Sequence, residues 1–503
     1  MEILDRRDFL KVTGLAAMTA IMPTVTLAAN QPKYNVLFIA VDDLRPELGC
    51  YGHKTIKSPN IDKLAEMGTL FEYAYCQQAV CGPSRASLLS GLRPDYSKVH
   101  DLQTPLRQVN PNITTLPQHF KNNGYETISI GKIYHHRTED DPQGWSIKPM
   151  GASGGKFCKP ENIALQIKSN DFVKKVNAEA KAIKDIQKRK QHQRKVYQRP
   201  AVPYYENADV SDNGYADGME TQMAIKEIKR LKDKPFFLAM GYHKPHLPFN
   251  SPKKYWDMYK DEDLQISDIK DWPKDSPEVG HVNWGELKMY IDGEKANQPE
   301  HTKRLIRAYY ACVTYVDAQI GKLIDALKTN NLLEKTIIVL WGDHGWKLGE
   351  YSAWCKHTNY ELDTHGPLMF YAPGYKANQK SKALVEFVDI YPTLADLAGL
   401  EIPKQCQGSS LTALLKDGNK TWKPAAFSQY PRGIYEGYSI RTDKYRYTEW
   451  INRKTKTIGE RELYDHSTSP IATENLANKP EYTDTVKKLS KLLNKGDGWR
   501  KMK

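Results

Sequence analysis

Four short apolar runs punctuate the chain: Val36 to Val41, Thr127 to Ile130, Phe236 to Met240 and Ile337 to Trp341. Each is short for a helix and apolar at successive positions, the pattern of a parallel strand covered on both faces. Between them lie stretches of helical periodicity. One begins at Ser58-Pro59, a polar cap with proline in the first turn, and stops at Gly68; another runs from about Arg304 to Lys328. The alternation predicts an α/β fold with a large, mixed but mostly parallel sheet flanked by helices. After Gly399 the texture changes. Alternating segments at Ala426 to Tyr430, Tyr438 to Arg441 and Tyr445 to Trp450, then a helical pattern from Tyr482 to Leu493, predict a smaller C-terminal α+β unit, an antiparallel sheet plus helix. The expected division is a catalytic domain over 30–415 and a C-terminal subdomain over 416–503. Gly151 to Gly155 reads as a loop. Phe172 to Arg199 is helical in period and crowded with Lys and Arg; it reads as a solvated helical insertion, with a basic arm facing substrate as the alternative.

The N-terminus follows another logic. Arg6-Arg7-Asp8-Phe9-Leu10-Lys11 precedes an apolar, small-residue run from Val12 to Leu27, and Thr26-Leu27-Ala28-Ala29 offers a cleavage site. This is the pattern of a twin-arginine export signal over 1–29, so the mature protein is expected to be bacterial and periplasmic or secreted. The run is short and weakly hydrophobic for a membrane span, and no other stretch is long and apolar enough for a stable one. The net charge of +13 steers polyanions toward the protein, and nucleic acid, anionic lipid and sulfated glycan all satisfy it. No nucleic-acid-binding motif accompanies the charge, so nucleic acid is not an expected partner. Seven cysteines without a C-x-x-C pair exclude a disulfide scaffold and a zinc ribbon, and the odd number leaves at least one for another task.

Candidate chemistry clusters after the four strands. The first is followed by Asp42-Asp43, the second by Lys132 and His135, the third by His243, Lys244 and His246, and the fourth by Asp343-His344. Ligands of open α/β sheets bind beyond the carboxyl ends of the strands, so these groups are expected at one edge. Asp42, Asp43 and Asp343 are hard oxygen ligands suited to Ca²⁺ or Mg²⁺. Lys132, Lys356 and Arg85 are cations fit to hold an anion. Together they describe a site for a negatively charged ester. Cys81-Gly82-Pro83-Ser84-Arg85 adds a nucleophile: Pro83 can start a helix that stops at Gly91, which places Cys81 just before a helix N-terminus, where a thiolate would be favoured.

C-x-P-S-R followed by A-S-L-L-S-G resembles the signature of the formylglycine-dependent sulfatases, in which that cysteine is oxidised to an aldehyde after translation. The resemblance extends through Asp42-Asp43-Leu44-Arg45-Pro46, Leu48-Gly49-Cys50-Tyr51-Gly52, Gly131-Lys132 with His135, Gly241 to Phe249, Asp343-His344-Gly345-Trp346, Ser428-Gln429-Tyr430-Pro431-Arg432 and Tyr438-Ser439-Ile440-Arg441-Thr442, and is nearest to the iduronate-2-sulfatase branch. It implies one Ca²⁺ held by Asp42, Asp43, Asp343 and His344 together with residue 81, modified from Cys81 to formylglycine. His344 stands where many sulfatases have Asn. It implies a partner that installs the aldehyde, either a formylglycine-generating or an anaerobic sulfatase-maturating enzyme. By the same resemblance the hydrated aldehyde attacks sulfur, Arg85 and Lys132 stabilise the nucleophile, and Lys132 and Lys356 offset charge on the sulfuryl oxygens. His246, with Lys356, protonates the leaving alcohol. His135 deprotonates the second hydroxyl so that sulfate leaves, and His243 supports the loop. Residues such as Arg45 and Trp346 are implied to lie beside the sugar. The expected substrate is a sulfated acidic glycan carrying uronate, either an algal polysaccharide such as ulvan or a glycosaminoglycan. Ile434-Tyr435-Glu436 departs from the animal enzymes of the branch, because it offers no lysine for a second carboxylate contact. The alternatives are a phosphodiesterase or phosphonate hydrolase of the same superfamily and a non-catalytic glycan-binding homologue; loss of Cys81, Arg85 or a metal ligand would favour the last, and none is lost.

Overall fold

Asn35–Val41 (β1) buries all seven of its side chains, and that two-sided apolarity puts it inside a sheet. The computed structural model describes residues 34–135, 141–153, 156–283 and 285–495; the expected export segment lies outside them, as do Gly154 and Gly155. In chain order the remaining strands of the main sheet are Thr69–Tyr75 (β2), Glu126–Gly131 (β3), Phe236–Tyr242 (β4), Thr336–Gly342 (β5), Leu368–Tyr371 (β6) and Gln379–Glu386 (β7). Their spatial order is β7-β2-β6-β5-β1-β4-β3. The four strands read from the sequence are neighbours at the centre and at one edge. β1 pairs in parallel with β4 and β5, and β3 in parallel with β4. Their carboxyl ends therefore share one edge. β6 runs antiparallel to β2 and β5, and β7 pairs in parallel with β2, so the sheet is mixed but mostly parallel.

Helices cover both faces. Pro59–Met67 (α1) has Ser58 before it and Gly68 after it. Cys81–Ser90 (α2) is wholly buried and ends on Gly91 in the left-handed region, φ +71°, a conformation that glycine adopts without strain. The helix begins at Cys81 itself, two residues before the expected proline, because Val80 is extended and serves as the cap. Pro160–Ala182 (α3) and Ile186–Gln193 (α4) form the basic insertion, and Ala216–Arg230 (α5) packs below the third strand end. The longest helix, Pro299–Thr329 (α6), ties the layers together. Its Asp317 Oδ1 accepts from the Ile61 N–H at the start of α1 (2.7 Å), and its Tyr309 hydroxyl donates to the Asp43 carbonyl (2.8 Å).

The C-terminal region holds an antiparallel sheet of Ala426–Arg432 (β8), Tyr435–Arg441 (β9), Tyr445–Asn452 (β10) and Ile458–Asp465 (β11), in sequence order, with the helix Thr483–Lys495 (α7) against it. Its core includes Ile440, Tyr447, Leu463 and Leu493. The sheet is stitched to the larger one by backbone: the Gln429 N–H donates to the Gln77 carbonyl at 2.8 Å. Among the described residues, no helix is long and apolar enough to cross a membrane.

Candidate active site

The parallel register brings the strand-end groups together. Asp42 and Asp43 follow β1, Lys132 follows β3, and Asp343 and His344 follow β5. The segment after β4 reaches the same place with His246. Cys81 enters from the first turn of α2, 2 % exposed. Its Sγ lies 3.3 Å from His344 Nε2 and 3.8 Å from Asp43 Oδ1. Asp43 takes a positive φ of 61°, uncommon for a side chain with a Cβ. It is held there by its N–H on Asp343 Oδ1 (3.0 Å) and by its carbonyl on Tyr309.

Arg85 lies one turn along α2 from Cys81 and is fully buried. Its Nε donates to Asp343 Oδ2 (2.8 Å) and its Nη2 to Asp42 Oδ1 (3.1 Å), while Nη1 donates to the Lys132 and Ile133 carbonyls. One planar guanidinium thus fixes three strand ends at once. Lys132 Nζ pairs with Asp42, and Lys356 Nζ with Asp43 at 3.0 Å and Glu286 at 2.9 Å. Burial pushes the Asp42 carboxyl up, but Lys132 and Arg85 overcome it and hold the group well below the usual carboxylate range. Asp43 ends the other way. Burial raises it to about 7 against the pull of Lys356, with Asp42 adding to the rise. Burial, reinforced by Asp42, also pushes the Cys81 thiol well above its ordinary value. The helix N-terminus alone favours a thiolate, but burial of the sulfur, with Asp42 and Asp343 adding to it, reverses that expectation.

The donor set fits a hard cation. His344 Nδ1 faces the Gly345 carbonyl at 2.9 Å and therefore carries the proton. Its Nε2 faces Cys81, Asp43 (3.3 Å) and Asp343 (3.6 Å). A ring nitrogen, a sulfur and two carboxylate oxygens that converge in a buried site form a donor set able to hold a positive ion. Cys81, Asp343 and His344 form one compact ligand group, and Asp42, Asp43, Cys81 and His246 a second that shares the sulfur.

His246 directs Nδ1 at the Leu247 carbonyl (2.6 Å) and Nε2 toward Glu286 (3.3 Å) and Asp43 (3.9 Å). Burial, then Lys356, pushes its imidazole well below the ordinary value, while Asp42 and Glu286 oppose. Beside this centre opens a cavity of about 460 Å³, lined by Asp42, Lys132, His135, His243, His246 and Lys156 among others. His135 thus stands on the cavity wall. His243 does too, with its ring 3.7 Å from Glu220 and its backbone N–H on Asp217 (2.9 Å), away from the Cys81 sulfur.

Arg45 and Trp346, expected beside the sugar, are both buried. Arg45 is 5 % exposed and ion-paired with Glu47 (2.7 Å) and Glu350 (2.9 Å). Trp346 has no exposed surface and lies under Lys356, whose Nζ is 4.7 Å from the ring centre. Trp346 also packs edge-on against Phe249. Conversely, Glu286 and His357 enter the site without having been expected. Glu286 sits on the short helix Gly285–Lys288, off every strand end, where the strand-end rule has no reach. His357 is the neighbour of Lys356, and its Nδ1 bonds the Tyr430 hydroxyl (2.7 Å).

The fold and this site define an α/β enzyme whose buried carboxylates and cations could hold a metal ion and receive an anionic ester. The chain belongs to the sulfatase family and is a sulfuric ester hydrolase: the profile described as Sulfatase matches residues 34–400, and one described as N-sulphoglucosamine sulphohydrolase, C-terminal, matches 349–497. The chain is 34 % identical to iduronate 2-sulfatase of Homo sapiens over 90 % of its own length and 92 % of that enzyme. A sulfatase of Formosa agariphila is 32 % identical, with 92 % and 87 % covered. Among solved structures, BT4656 in complex with its substrate D-glucosamine-2-N,6-O-disulfate superposes with a TM-score of 0.69 at 24 % identity, covering 93 % of this chain and 100 % of that one. The phosphonate monoester hydrolase of Agrobacterium radiobacter gives 0.71 at 21 %, covering 92 % and 95 %. These structural likenesses establish the fold.

Proposed function

We propose that the enzyme removes sulfate from a uronate-containing acidic glycan, using formylglycine at position 81 and one Ca²⁺ held by Asp42, Asp43, Asp343, His344 and residue 81. The observation that carries this reading is the place of the cysteine: Cys81 Sγ sits at the centre of the ligand set, within reach of His344 Nε2 and Asp43 Oδ1, where burial disfavours the thiolate. A hydrated aldehyde there supplies an oxygen nucleophile and a second hydroxyl that lets the sulfate go, which serine cannot offer. Ca²⁺ supplies charge that offsets the carboxylates and makes a neighbouring hydroxyl more acidic.

The side chains have separable tasks. Arg85 locks Asp42 and Asp343 in place. Lys132 and Lys356 face incoming anionic oxygens and stabilise charge that grows in the transition state. Trp346 supports Lys356 from below. His246 delivers a proton to the leaving sugar oxygen. Burial disfavours its imidazolium, and an arriving sulfate brings the negative charge that restores it. His135 removes a proton from residue 81 on the opposite wall.

For the substrate, the support is the +13 charge and the two iduronate 2-sulfatases, human and mouse, each 34 % identical. Iduronate occurs in sulfated glycosaminoglycans and in sulfated ulvan-type algal chains, and either serves. Export through the twin-arginine-like segment and maturation by a formylglycine-generating or anaerobic sulfatase-maturating enzyme complete the reading. Released sulfate, measured over a panel of defined sulfated oligosaccharides with matured enzyme, tests it. Turnover of 2-O-sulfated uronate units is expected; faster cleavage of phosphonate monoesters than of any sulfate ester would overturn it.

A further inference from the structure

Glu286 reaches the charged centre from the short helix Gly285–Lys288, and the release of sulfate does not itself require a carboxylate there. The helix is rooted in the core by Leu287, 1 % exposed. From that root the two carboxylate oxygens part. Oε2 pairs with Lys356 Nζ (2.9 Å) and stands 3.8 Å from His357 Nε2, while Oε1 lies 3.3 Å from His246 Nε2. The Tyr430 hydroxyl on β8 holds His357 in turn (2.7 Å), so the carboxylate is braced from the C-terminal sheet as well.

A carboxylate this near a site for an anionic ester weakens ester binding through its charge. Burial raises the Glu286 carboxyl, but Lys356, then the His357 hydrogen bond and His246, overcome it and hold the group well below the usual carboxylate range. His246 lines the cavity beside Cys81, and Glu286 stands outside that lining. Glu286 therefore acts on substrate through the side chains it holds.

His246 is held at two ends. Its Nδ1 faces the Leu247 carbonyl (2.6 Å), which fixes one edge of the ring. Among the described residues, the carboxylates that face Nε2 are Glu286 at 3.3 Å and Asp43 at 3.9 Å. Asp43 is already engaged with Lys356 (3.0 Å) and with the ligand group around Cys81, so Glu286 is both the nearer and the freer of the two. One contact lets an imidazole swing; a second at the opposite nitrogen sets its position. A misplacement of about 1 Å can cost on the order of 10²-fold in rate.

We propose that Glu286 is a positioning residue that, anchored by Lys356, holds the His246 ring where Nε2 meets the leaving sugar oxygen. This rests on the role given to His246 above and adds the group that keeps it in place.

The test compares kcat and KM of matured wild-type enzyme, Glu286→Gln, His246→Ala and the double variant, on a 2-sulfated uronate disaccharide and on nitrophenyl sulfate. Glu286→Gln keeps the shape of the side chain and weakens its hold. On the disaccharide kcat should fall at least about tenfold, the order of one hydrogen bond to a charged group. KM should stay level or fall, because a negative charge has gone. The pattern across the two substrates should follow that of His246→Ala. In the His246→Ala background the same substitution should cost less than about twofold, the scatter expected of independent sites. Glu286→Asp keeps the charge but draws back from His246; it should show the same pattern, and it serves if the Gln variant folds poorly. Losses that multiply in the double variant, or a substrate pattern unlike that of His246→Ala, overturn the positioning role. The reading it rests on fails separately. Equal losses on both substrates for His246→Ala remove His246 as the acid, while non-additive losses would still show that Glu286 holds it.

Discussion

At residue 81 the surroundings decide which chemistry is available. A thiol with Asp43, Asp343 and Asp42 around it gains nothing from ionising, so an enzyme built on the plain cysteine would be slow at neutral pH. Cys81→Ser keeps the size but removes the route to the aldehyde, and sulfate release should fall to background where the host modifies only cysteine. His246 and His243 allow a sharper separation. His246 Nε2 points into the charged centre, whereas His243 faces Glu220 on the side wall. A sugar alkoxide needs a proton as it leaves, and a nitrophenolate hardly does. His246→Ala should therefore slow sulfated-sugar hydrolysis about 10²–10⁴-fold and aryl-sulfate hydrolysis far less, while His243→Ala affects both modestly. Parallel kcat/KM measurements check this, and equal losses on both substrates for His246→Ala would make it a binding residue.

Among elements, the close parallel pairing of β3 and β4 at Gly131 and Gly241 sets the position of Lys132. Gly131 has φ +74°, and a Cβ there would meet the Gly241 carbonyl oxygen at 2.1 Å. Gly131→Ala combines a strained backbone with a clash against backbone that cannot move aside. The expected cost is about 1–3 kcal/mol of stability or more, read as a lowered denaturant midpoint, together with a fall in activity as Lys132 shifts. The same elements explain what could be read from the sequence. β1, β3, β4 and β5 are buried on both faces, so their apolar runs stood out, and parallel pairing put their following residues at one edge. β7 begins Gln-Lys-Ser-Lys and lies at the sheet edge, and β11 carries Glu460, Arg461 and Glu462; neither has an apolar run to recognise. Glu286 was invisible for a related reason: it reaches the site by tertiary folding of an irregular stretch, and no periodicity marks such a position.

For the molecule as a whole, the larger and smaller sheets are joined by buried charge. Glu361 Oε2 accepts from Arg441 Nε (3.0 Å) on β9 and Arg446 Nη2 (2.7 Å) on β10, while Oε1 accepts from the Tyr75 hydroxyl (2.7 Å) on β2. Burial raises the Glu361 carboxyl, but Arg441 and then Arg446 overcome it and hold the group well below the usual carboxylate range. A depressed folded value means that the stabilisation is complete above the ordinary value of 4.5 and is lost as pH falls below it. Glu361→Gln leaves two buried guanidinium groups without a counter-charge and should cost about 3–5 kcal/mol. The variant should also lose part of the acid sensitivity of the parent, as followed by unfolding at pH 7 and pH 4. The metal is a second whole-molecule lever. Chelation should abolish activity and Ca²⁺ should restore it, and stoichiometric zinc without calcium in the active protein would contradict the oxygen-rich ligand set. The most direct test is the mass of the peptide containing residue 81, taken from fully active enzyme made alongside a maturation system. The account predicts a peptide lighter than the cysteine form by loss of H₂S and gain of O, the aldehyde. An unmodified cysteine in that peptide, at full activity, would contradict it.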